Sequence, residues 1–348
     1  MRFADEDFPA APYPGCRPAT SYVHDDATGW ALTPDPTGWR VAGTGLDTWL
    51  TERGAAPTAD RVPVLCYGSN ACPSKLTWLR TALGLQGPAV VLLARCTGLA
   101  AVWASGLRIV DDQRPATLAA MAGNSEDHVV WLAAPDQVAV LDRCEGRGER
   151  YHLTHVDTGE VRLEDGTVVD GPLAYTAAAP RRMPLLMDGR PVRCLDVPQS
   201  RATALTGVAA DTHGLAVRVV TGAPAPAEFP SRVFVYGTLQ PHAEAWRRLE
   251  RHATGAHEAR MPGALYDTGR GYPALRLGDG PGVAGWVVEL ANPATALAEL
   301  DEYEGGEYRR IRVALPGGLQ CWTYKWVNSV DGLRMLTARW ADADPSRR

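Results

Sequence analysis

The stretch Val233-Phe-Val-Tyr-Gly-Thr-Leu239 is the part of the sequence that decides the fold. It opens with a short apolar run whose β-branched and aromatic residues are typical of a buried strand. Gly237 follows directly, and glycine lets a backbone approach a ligand or a neighbouring segment closely. The stretch therefore predicts a core strand that delivers the loop 237–239 to one edge of a sheet.

The same pattern occurs in the first half of the chain, as Val62-Pro-Val-Leu-Cys-Tyr-Gly-Ser-Asn70. A second motif is repeated as well: Leu141-Asp-Arg-Cys-Glu-Gly146 matches Leu300-Asp-Glu-Tyr-Glu-Gly305. Two motifs that recur in the same order at similar separation are unexpected by chance. They indicate that the chain contains a duplication.

Each Leu-Asp motif is predicted to close a helix and to precede a strand. The helical segments 135–141 and 293–300 begin with proline, which is favoured in the first turn of a helix. The strand-like runs are 151–156 and 308–313. Each half is thus predicted to run from a strand and loop to a helix that ends in Glu-Gly.

The overall composition favours an ordinary globular protein with two domains. The chain has 348 residues, of which 45% are hydrophobic and 22% charged. A net charge of −5 gives no general attraction to nucleic acid or to an anionic membrane. The seven cysteines are scattered, and no apolar run is long enough for a membrane span. We expect a soluble, cytoplasmic protein with reduced thiols.

Shifts in composition suggest where the domains begin and end. Residues 1–60, rich in Pro, Gly and Asp with a few aromatics, are predicted to form an N-terminal extension packed on the first domain. The first domain is predicted to span 61–220. Residues 221–231 contain three prolines and are interpreted as a semi-stiff linker. The second domain is predicted to span 232–348.

A strand that ends in Tyr-Gly-Ser/Thr, combined with Leu-Asp-x-x-Glu-Gly, resembles the γ-glutamylcyclotransferase superfamily. The second half is more similar to its short AIG2-like and YtfP-like branch, over nearly all of 232–328. The segments that carry this resemblance are 235–239, 263–267, 272–275, 285–290 and 300–310.

The first half resembles a longer branch through 66–70 and 141–146, and more weakly between them, and residues 1–60 are not covered. The resemblance implies an α+β fold with two small mixed or antiparallel β-barrel domains, each flanked by a few helices. It also implies an enzyme that converts γ-glutamyl compounds to 5-oxoproline and a free amine, without a cofactor or metal.

One positioned carboxylate can carry out both proton transfers of such a reaction. The α-amino group and the γ-carbonyl of a γ-glutamyl amide lie on one short chain, so the substrate itself supplies proximity. A carboxylate can take a proton from the α-ammonium and return it to the leaving amine. Glu145 and Glu304 are the candidate catalytic residues. Partial burial would raise the pKa of either carboxyl and help it to hold the proton.

The loops after the two strands are predicted to bind the substrate. Successive backbone N–H groups in such loops can point into one concavity and stabilise an oxyanion. The predicted substrate-binding residues are Tyr67, Gly68, Ser69, Asn70 and Tyr151 in the first half and Tyr236, Gly237, Thr238, Leu239 and Tyr308 in the second.

Two other interpretations of the pattern stay open. The chain could be a non-catalytic module that binds a small molecule, or only one of its two domains could be active. The expected partner is a small γ-glutamyl compound, bound to a monomer with pseudo-dimeric domains or to a homodimer. The Gly-x-Gly-x-x-Gly match at 280–285 is interpreted as a hairpin loop, because a strand rather than a helix follows it.

Overall fold

The computed structural model describes residues 1–224 and 230–340, which form two compact units. Unit 1 comprises Met1–Arg108 and Asp112–Pro224, and unit 2 comprises Ile109–Asp111 and the described residues from 230 onward. Residues 225–229 of the predicted linker lie outside the described residues, as do 341–348 of the predicted second domain. No helix in the described ranges is long and apolar enough to cross a membrane.

Unit 1 is built on a 12-stranded sheet and a 3-stranded sheet. Its strands are β1 (Arg2–Ala4), β2 (Tyr22–Asp25), β3 (Thr28–Asp35), β4 (Gly38–Val41), β5 (Thr44–Gly45), β6 (Val62–Cys66), β7 (Ala89–Trp103), β8 (Ala116–Ala133), β9 (Tyr151–Val156), β10 (Glu160–Leu163), β11 (Leu173–Ala177), β12 (Leu185–Met187), β13 (Arg190–Pro191), β14 (Val208–Ala209) and β15 (Val217–Val219). Its helices are α1 (Leu46–Thr51), α2 (Pro73–Leu83), α3 (Pro135–Glu145) and α4 (Gln199–Ala202).

Unit 2 is built on a 5-stranded sheet and a 3-stranded sheet. Its strands are β16 (Arg232–Val235), β17 (Ala253–Met261), β18 (Ala264–Asp267), β19 (Pro273–Arg276), β20 (Val283–Leu290), β21 (Tyr308–Ala314), β22 (Gln320–Trp326) and β23 (Arg334–Met335). Its helices are α5 (Trp246–Glu250) and α6 (Pro293–Glu304). The predicted α+β class is confirmed. Closure of either sheet into a barrel is not detected among the described strands, so the barrel stays a prediction.

Five strands of each unit follow one order. In unit 1 they run β7-β8-β6-β11-β9, and in unit 2 they run β17-β20-β16-β22-β21. In both, the middle strand is antiparallel to the strand before it and parallel to the strand after it. The outer pairs are antiparallel in both units. The two sheets therefore share order and direction across these five strands.

The helices that carry the two Glu-Gly motifs begin and end as the sequence indicates. The side chain of Asn292 accepts a hydrogen bond from Thr295 N at 3.2 Å and caps the first turn of α6. Gly146 follows α3 with φ +64°, and Gly305 follows α6 with φ +61°. These backbone angles favour glycine, so each helix stops directly after its glutamate.

Apolar faces of these helices are buried on the sheets. In unit 2, Leu297 and Leu300 of α6 pack with Val233 of β16 and Trp322 of β22 in one buried cluster. Full burial of one leucine side chain contributes about 1.5–3 kcal/mol. This packing fixes the end of α6 beside the end of β16. The glutamate and the loop are thereby brought to the same edge of the sheet.

Two segments differ from the sequence-based interpretation in detail. Strands β2 to β5 of the N-terminal segment belong to the large sheet of unit 1, because β2 pairs with β7. The Gly-rich stretch 280–285 does not close a hairpin, so that prediction is wrong. It joins β19, which pairs with β18, to β20, which pairs with β16 and β17.

Candidate functional site

Unit 2 has an open pocket of about 340 Å³ at the end of β16. The six residues predicted for the second half all line it, and so do five others. The lining residues are Phe234, Val235, Tyr236, Gly237, Thr238, Leu239, Tyr272, Pro273, Glu304, Tyr308 and Tyr324. The structure therefore brings the loop 237–239 and the end of α6 together around one space.

The loop after β16 offers backbone donors to this pocket. Within the described ranges, the N–H groups of Thr238 and Leu239 donate to no protein oxygen. A Cβ at Gly237 would lie 3.0 Å from Cδ of Pro273, so any other residue there would press against the proline. The Thr238 hydroxyl lies 3.1 Å from that of Tyr303, which fixes the threonine side chain. The loop that lines the pocket thus has two adjacent N–H groups that no oxygen of the described protein occupies.

Glu304 is the last residue of α6 and is half-buried. Its carboxylate accepts no hydrogen bond from any residue that the structure describes. Burial, and then the negative charge of Asp301 one turn earlier, raise the pKa of Glu304 to about 7. A carboxyl with this pKa exchanges its proton readily near neutral pH, which suits a group that must both accept and donate a proton.

The raised pKa of Glu304 predicts a pH-dependent effect of Glu304→Gln on stability. The folded state binds the extra proton between pH 4.5, the ordinary value, and about 7, so wild-type stability falls as pH rises through this window. Glutamine removes that loss. Between pH 4.5 and pH 8, we expect the free energy of unfolding of the variant to rise by about 1–3 kcal/mol relative to that of wild type, after allowance for partial exposure.

Thermal unfolding at several pH values measures this difference. Glu302→Gln is the matched control, because Glu302 is an exposed carboxylate on the same helix. A Glu304→Gln midpoint that follows the wild-type midpoint at every pH would contradict the assignment.

A chain of polar contacts ties the pocket together beneath Glu304. The Tyr236 hydroxyl donates to the carbonyl oxygen of Tyr324. The Tyr324 hydroxyl in turn donates to Oδ1 of Asp301 at 2.8 Å, and Nε of Arg310 lies 3.1 Å from the same oxygen. The Tyr308 hydroxyl donates to the carbonyl oxygen of Pro273 at 2.7 Å. The protons of Tyr236 and Tyr308 are therefore engaged, and these tyrosines shape the pocket.

Unit 1 repeats this chain of contacts with its own residues. The Tyr67 hydroxyl donates to the carbonyl oxygen of Tyr175. The Tyr175 hydroxyl donates to Oδ1 of Asp142 at 2.7 Å, and Nη1 of Arg147 lies 2.9 Å from Oδ2 of Asp142. Tyr151 donates to the carbonyl oxygen of Ala116 at 3.2 Å. The predicted tyrosines of the first half thus hold positions that match those in unit 2.

The two glutamates differ in their partners. Glu145 is the last residue of α3, and its Oε1 accepts a hydrogen bond from Nδ2 of Asn70 at 2.8 Å. Asn70 follows Gly68 and Ser69 in the loop, where unit 2 has Leu239. Leucine cannot donate a hydrogen bond. One loop position, Asn70 in unit 1 and Leu239 in unit 2, therefore decides whether the loop donates a hydrogen bond to the glutamate. Glu145 is tethered in this way and Glu304 is not.

Tyr13 of the N-terminal segment covers the loop of unit 1. A Cβ at Gly68 would lie 2.7 Å from the Tyr13 hydroxyl, so the phenol lies directly on this glycine. The same hydroxyl accepts a hydrogen bond from Ala116 N at 3.0 Å. In unit 2 the corresponding glycine faces Pro273 in the wall of the pocket. The backbone approach that the sequence predicts at Gly68 is thus made to a tyrosine of the same chain.

Several residues of the site were missed by sequence reasoning. Tyr272, Pro273 and Tyr324 line the pocket, and the sequence indicates 272–275 only as part of the family resemblance. Unit 2 has Tyr303 at the motif position where unit 1 has Cys144, and the Tyr303 hydroxyl contacts that of Thr238. In the described ranges no three His, Cys, Asp or Glu side chains are placed to hold a metal ion.

Comparison with known proteins identifies a family that the second half of the chain resembles. Residues 233–342 match the family model described as gamma-glutamyl cyclotransferase, AIG2-like. The chain is 30% identical over 120 residues to the gamma-L-glutamyl-butirosin B gamma-glutamyl cyclotransferase of Niallia circulans. That match covers 32% of this chain and 76% of the relative.

Solved structures match part of the chain as well. The ytfP protein of Escherichia coli is 35% identical, with 32% of this chain and 98% of that chain covered and a TM-score of 0.25. An AIG2-like protein of Mus musculus is 20% identical, with 33% and 92% covered and a TM-score of 0.26.

Proposed function

Because this chain belongs to the AIG2-like γ-glutamyl cyclotransferase family, and is an enzyme of that type, we propose that unit 2 cyclises a γ-glutamyl amide. The products are 5-oxoproline and a free amine. The observation that carries the proposal is Glu304, which faces the pocket from the end of α6 with an untethered carboxylate and a raised pKa.

The reaction begins with a proton transfer. The Glu304 carboxylate takes a proton from the α-ammonium of the substrate and leaves a neutral amine. The amine nitrogen attacks the γ-carbonyl carbon, and the new C–N bond closes a five-membered ring. The carbonyl oxygen becomes an oxyanion, which the N–H groups of Thr238 and Leu239 stabilise. These donors need no rearrangement, because nothing in the described protein occupies them.

Collapse of the intermediate completes the reaction. Glu304 donates its proton to the leaving nitrogen, and the bond between that nitrogen and the γ-carbon breaks. The ring nitrogen loses its extra proton to the departing amine, which leaves as an ammonium. Glu304 is then a carboxylate again. A pKa near 7 suits both halves of this cycle, since the group accepts and returns a proton at the same pH.

We further propose that unit 1 is a related domain that binds a ligand without turnover. The shared order of five strands and the repeated Tyr–Tyr–Asp–Arg contacts support the relationship. Two observations favour the loss of turnover: Glu145 is tethered to Asn70, and Tyr13 lies on Gly68. Glu145 would otherwise be the equivalent catalytic residue, with Ser69 in its loop.

The test is an assay of 5-oxoproline release by the full chain. The panel includes γ-glutamyl amino acids, γ-glutamylamines and γ-L-glutamyl-butirosin B, which the name of the relative from Niallia circulans specifies as its substrate. We expect 5-oxoproline and the free amine in equal amounts from at least one member. Absence of both products across the panel would overturn the proposal.

A further inference from the structure

Unit 1 contains a buried guanidinium that the proposed reaction does not use. Arg182 is only 4% exposed, at the end of the short turn Pro180–Arg182. Its Nε and Nη1 are buried, and neither has a hydrogen-bond partner in the described part of the chain. Buried charges in proteins are almost always paired, because desolvation is costly. An unpaired one calls for an anion that the protein binds.

The turn that carries Arg182 is held rigidly. Gly106 N donates to the carbonyl oxygen of Arg181 at 2.9 Å, and Ser105 N donates to that of Met183 at 2.8 Å. The Ser105 hydroxyl donates to the carbonyl oxygen of Pro180 at 3.0 Å. A Cβ at residue 106 would lie 2.7 Å from that of Arg181, so only glycine permits this packing. The backbone from which the Arg182 side chain extends is therefore fixed.

The groups around Arg182 make its surroundings positive. Its guanidinium carbon lies 5.9 Å from the centre of the Tyr151 ring. Burial lowers the pKa of Arg182, and the charges of Arg150 and Arg108 lower it further, while Tyr151 and Tyr13 act in the opposite direction. The charges of Arg150 and Arg108 make the electrostatic potential at Arg182 more positive, which favours an anion.

Tyr13 supplies a second donor to the same region. Its hydroxyl oxygen accepts from Ala116 N, and its proton has no acceptor among the described residues. Burial keeps the phenol neutral, because it raises the pKa of Tyr13 well above its ordinary value. Tyr13 packs in an apolar cluster with Trp103, Ala116 and Ala202. The phenol can therefore donate to an oxyanion in a medium of low dielectric constant.

We propose that unit 1 binds a small organic carboxylate, whose oxygens pair with the guanidinium of Arg182 and accept a hydrogen bond from Tyr13. The rings of Tyr13 and Tyr151 cover the carbon skeleton of the ligand. A monoanionic carboxylate fits better than phosphate, because Glu145 acts electrostatically on both tyrosines and would repel a second negative charge. The planar guanidinium matches the geometry of a carboxylate.

The test is thermal unfolding and calorimetric titration of the full chain with acetate, L-glutamate, L-5-oxoproline and inorganic phosphate. The variants are Arg182→Met, which keeps the volume and removes the charge, and Arg181→Met, the matched control in the same turn. For wild type and Arg181→Met we expect at least one carboxylate to bind and to raise the unfolding temperature. In Arg182→Met the affinity of that carboxylate falls at least tenfold, or one binding site per chain is lost.

The ligand-free proteins give a second readout. Arg182→Met removes a buried charge without a partner, so it should unfold at a higher temperature than wild type in buffer free of these anions. A lower temperature would show that the charge is satisfied within the protein and would overturn the proposal. Equal carboxylate binding by wild type and Arg182→Met, binding of phosphate alone, or no binding by any probe would overturn it too. Turnover in unit 2 does not enter any of these outcomes.

Discussion

Glu304→Gln is expected to reduce kcat/KM for 5-oxoproline release by about 10²–10⁴-fold, the usual contribution of a positioned acid–base group. Glutamine keeps the size of the side chain but cannot take the proton from the α-ammonium or return it to the leaving amine. The substrate still brings its own nucleophile, and Thr238 and Leu239 still offer their N–H groups, so residual turnover is expected. The KM should change little.

Two further variants make this result specific. Glu302→Gln removes an exposed carboxylate from the same helix, and should leave kcat/KM within about twofold of wild type. Glu145→Gln alters the equivalent position of unit 1, and should also leave turnover unchanged. Release of 5-oxoproline that survives in Glu304→Gln and is lost in Glu145→Gln would assign the reaction to unit 1. Activity that is lost only in the double variant would show that both units turn over.

The arrangement of elements was predictable because it depends on local signals. The apolar runs before Gly68 and Gly237 predicted β6 and β16, and both strands end within one residue of the tyrosine. Proline at the start and glycine after the end predicted α3 and α6. Once a helix ends at glycine beside a strand end, its final glutamate and the loop must be neighbours. This explains why six residues named from the sequence line one pocket.

The hydrogen-bond partner of each polar group was not predictable in the same way. The carbonyl oxygen that accepts from Tyr236 belongs to Tyr324, on a strand far along the chain. Such a partner is set by strand pairing, which no local pattern reveals. Tyr13 is a similar case, because nothing near it in sequence indicates that it reaches Gly68. Sequence reasoning therefore found which residues meet, but not which of their donors and acceptors are still available to a ligand.

The loop position that differs between the units gives the second large prediction. Leu239→Asn places in unit 2 the residue that unit 1 has at position 70, where its amide donates to Glu145. A hydrogen bond donated to a carboxylate favours the charged form, so the pKa of Glu304 should fall from about 7. Such a bond contributes about 1.5–3 kcal/mol, which corresponds to about 1–2 pKa units.

The measurement is the pH dependence of kcat/KM. In wild type, activity should rise with pH as the Glu304 carboxyl loses its proton, with a midpoint near the pKa of about 7. In Leu239→Asn the rise should move about 1–2 units lower. The plateau should also fall, since a weaker base accepts the ammonium proton less readily. Leu239 is buried, so Leu239→Ala is the control for lost packing. We expect this variant to lose about 2–5 kcal/mol of unfolding free energy.

If the pH midpoint of kcat/KM shifts in Leu239→Asn and not in Leu239→Ala, the shift is caused by the new amide. The cavity that both substitutions leave would not explain it. Equal profiles for both variants would mean that the tether in unit 1 does not explain the difference between the two glutamates. The expected shift has a consequence for how the two units diverged. One residue in the loop, Asn70 or Leu239, would be enough to convert a proton-transferring carboxylate into a structural one. Loss or gain of turnover would then need no change in strand order, in the helix or in the glutamate itself.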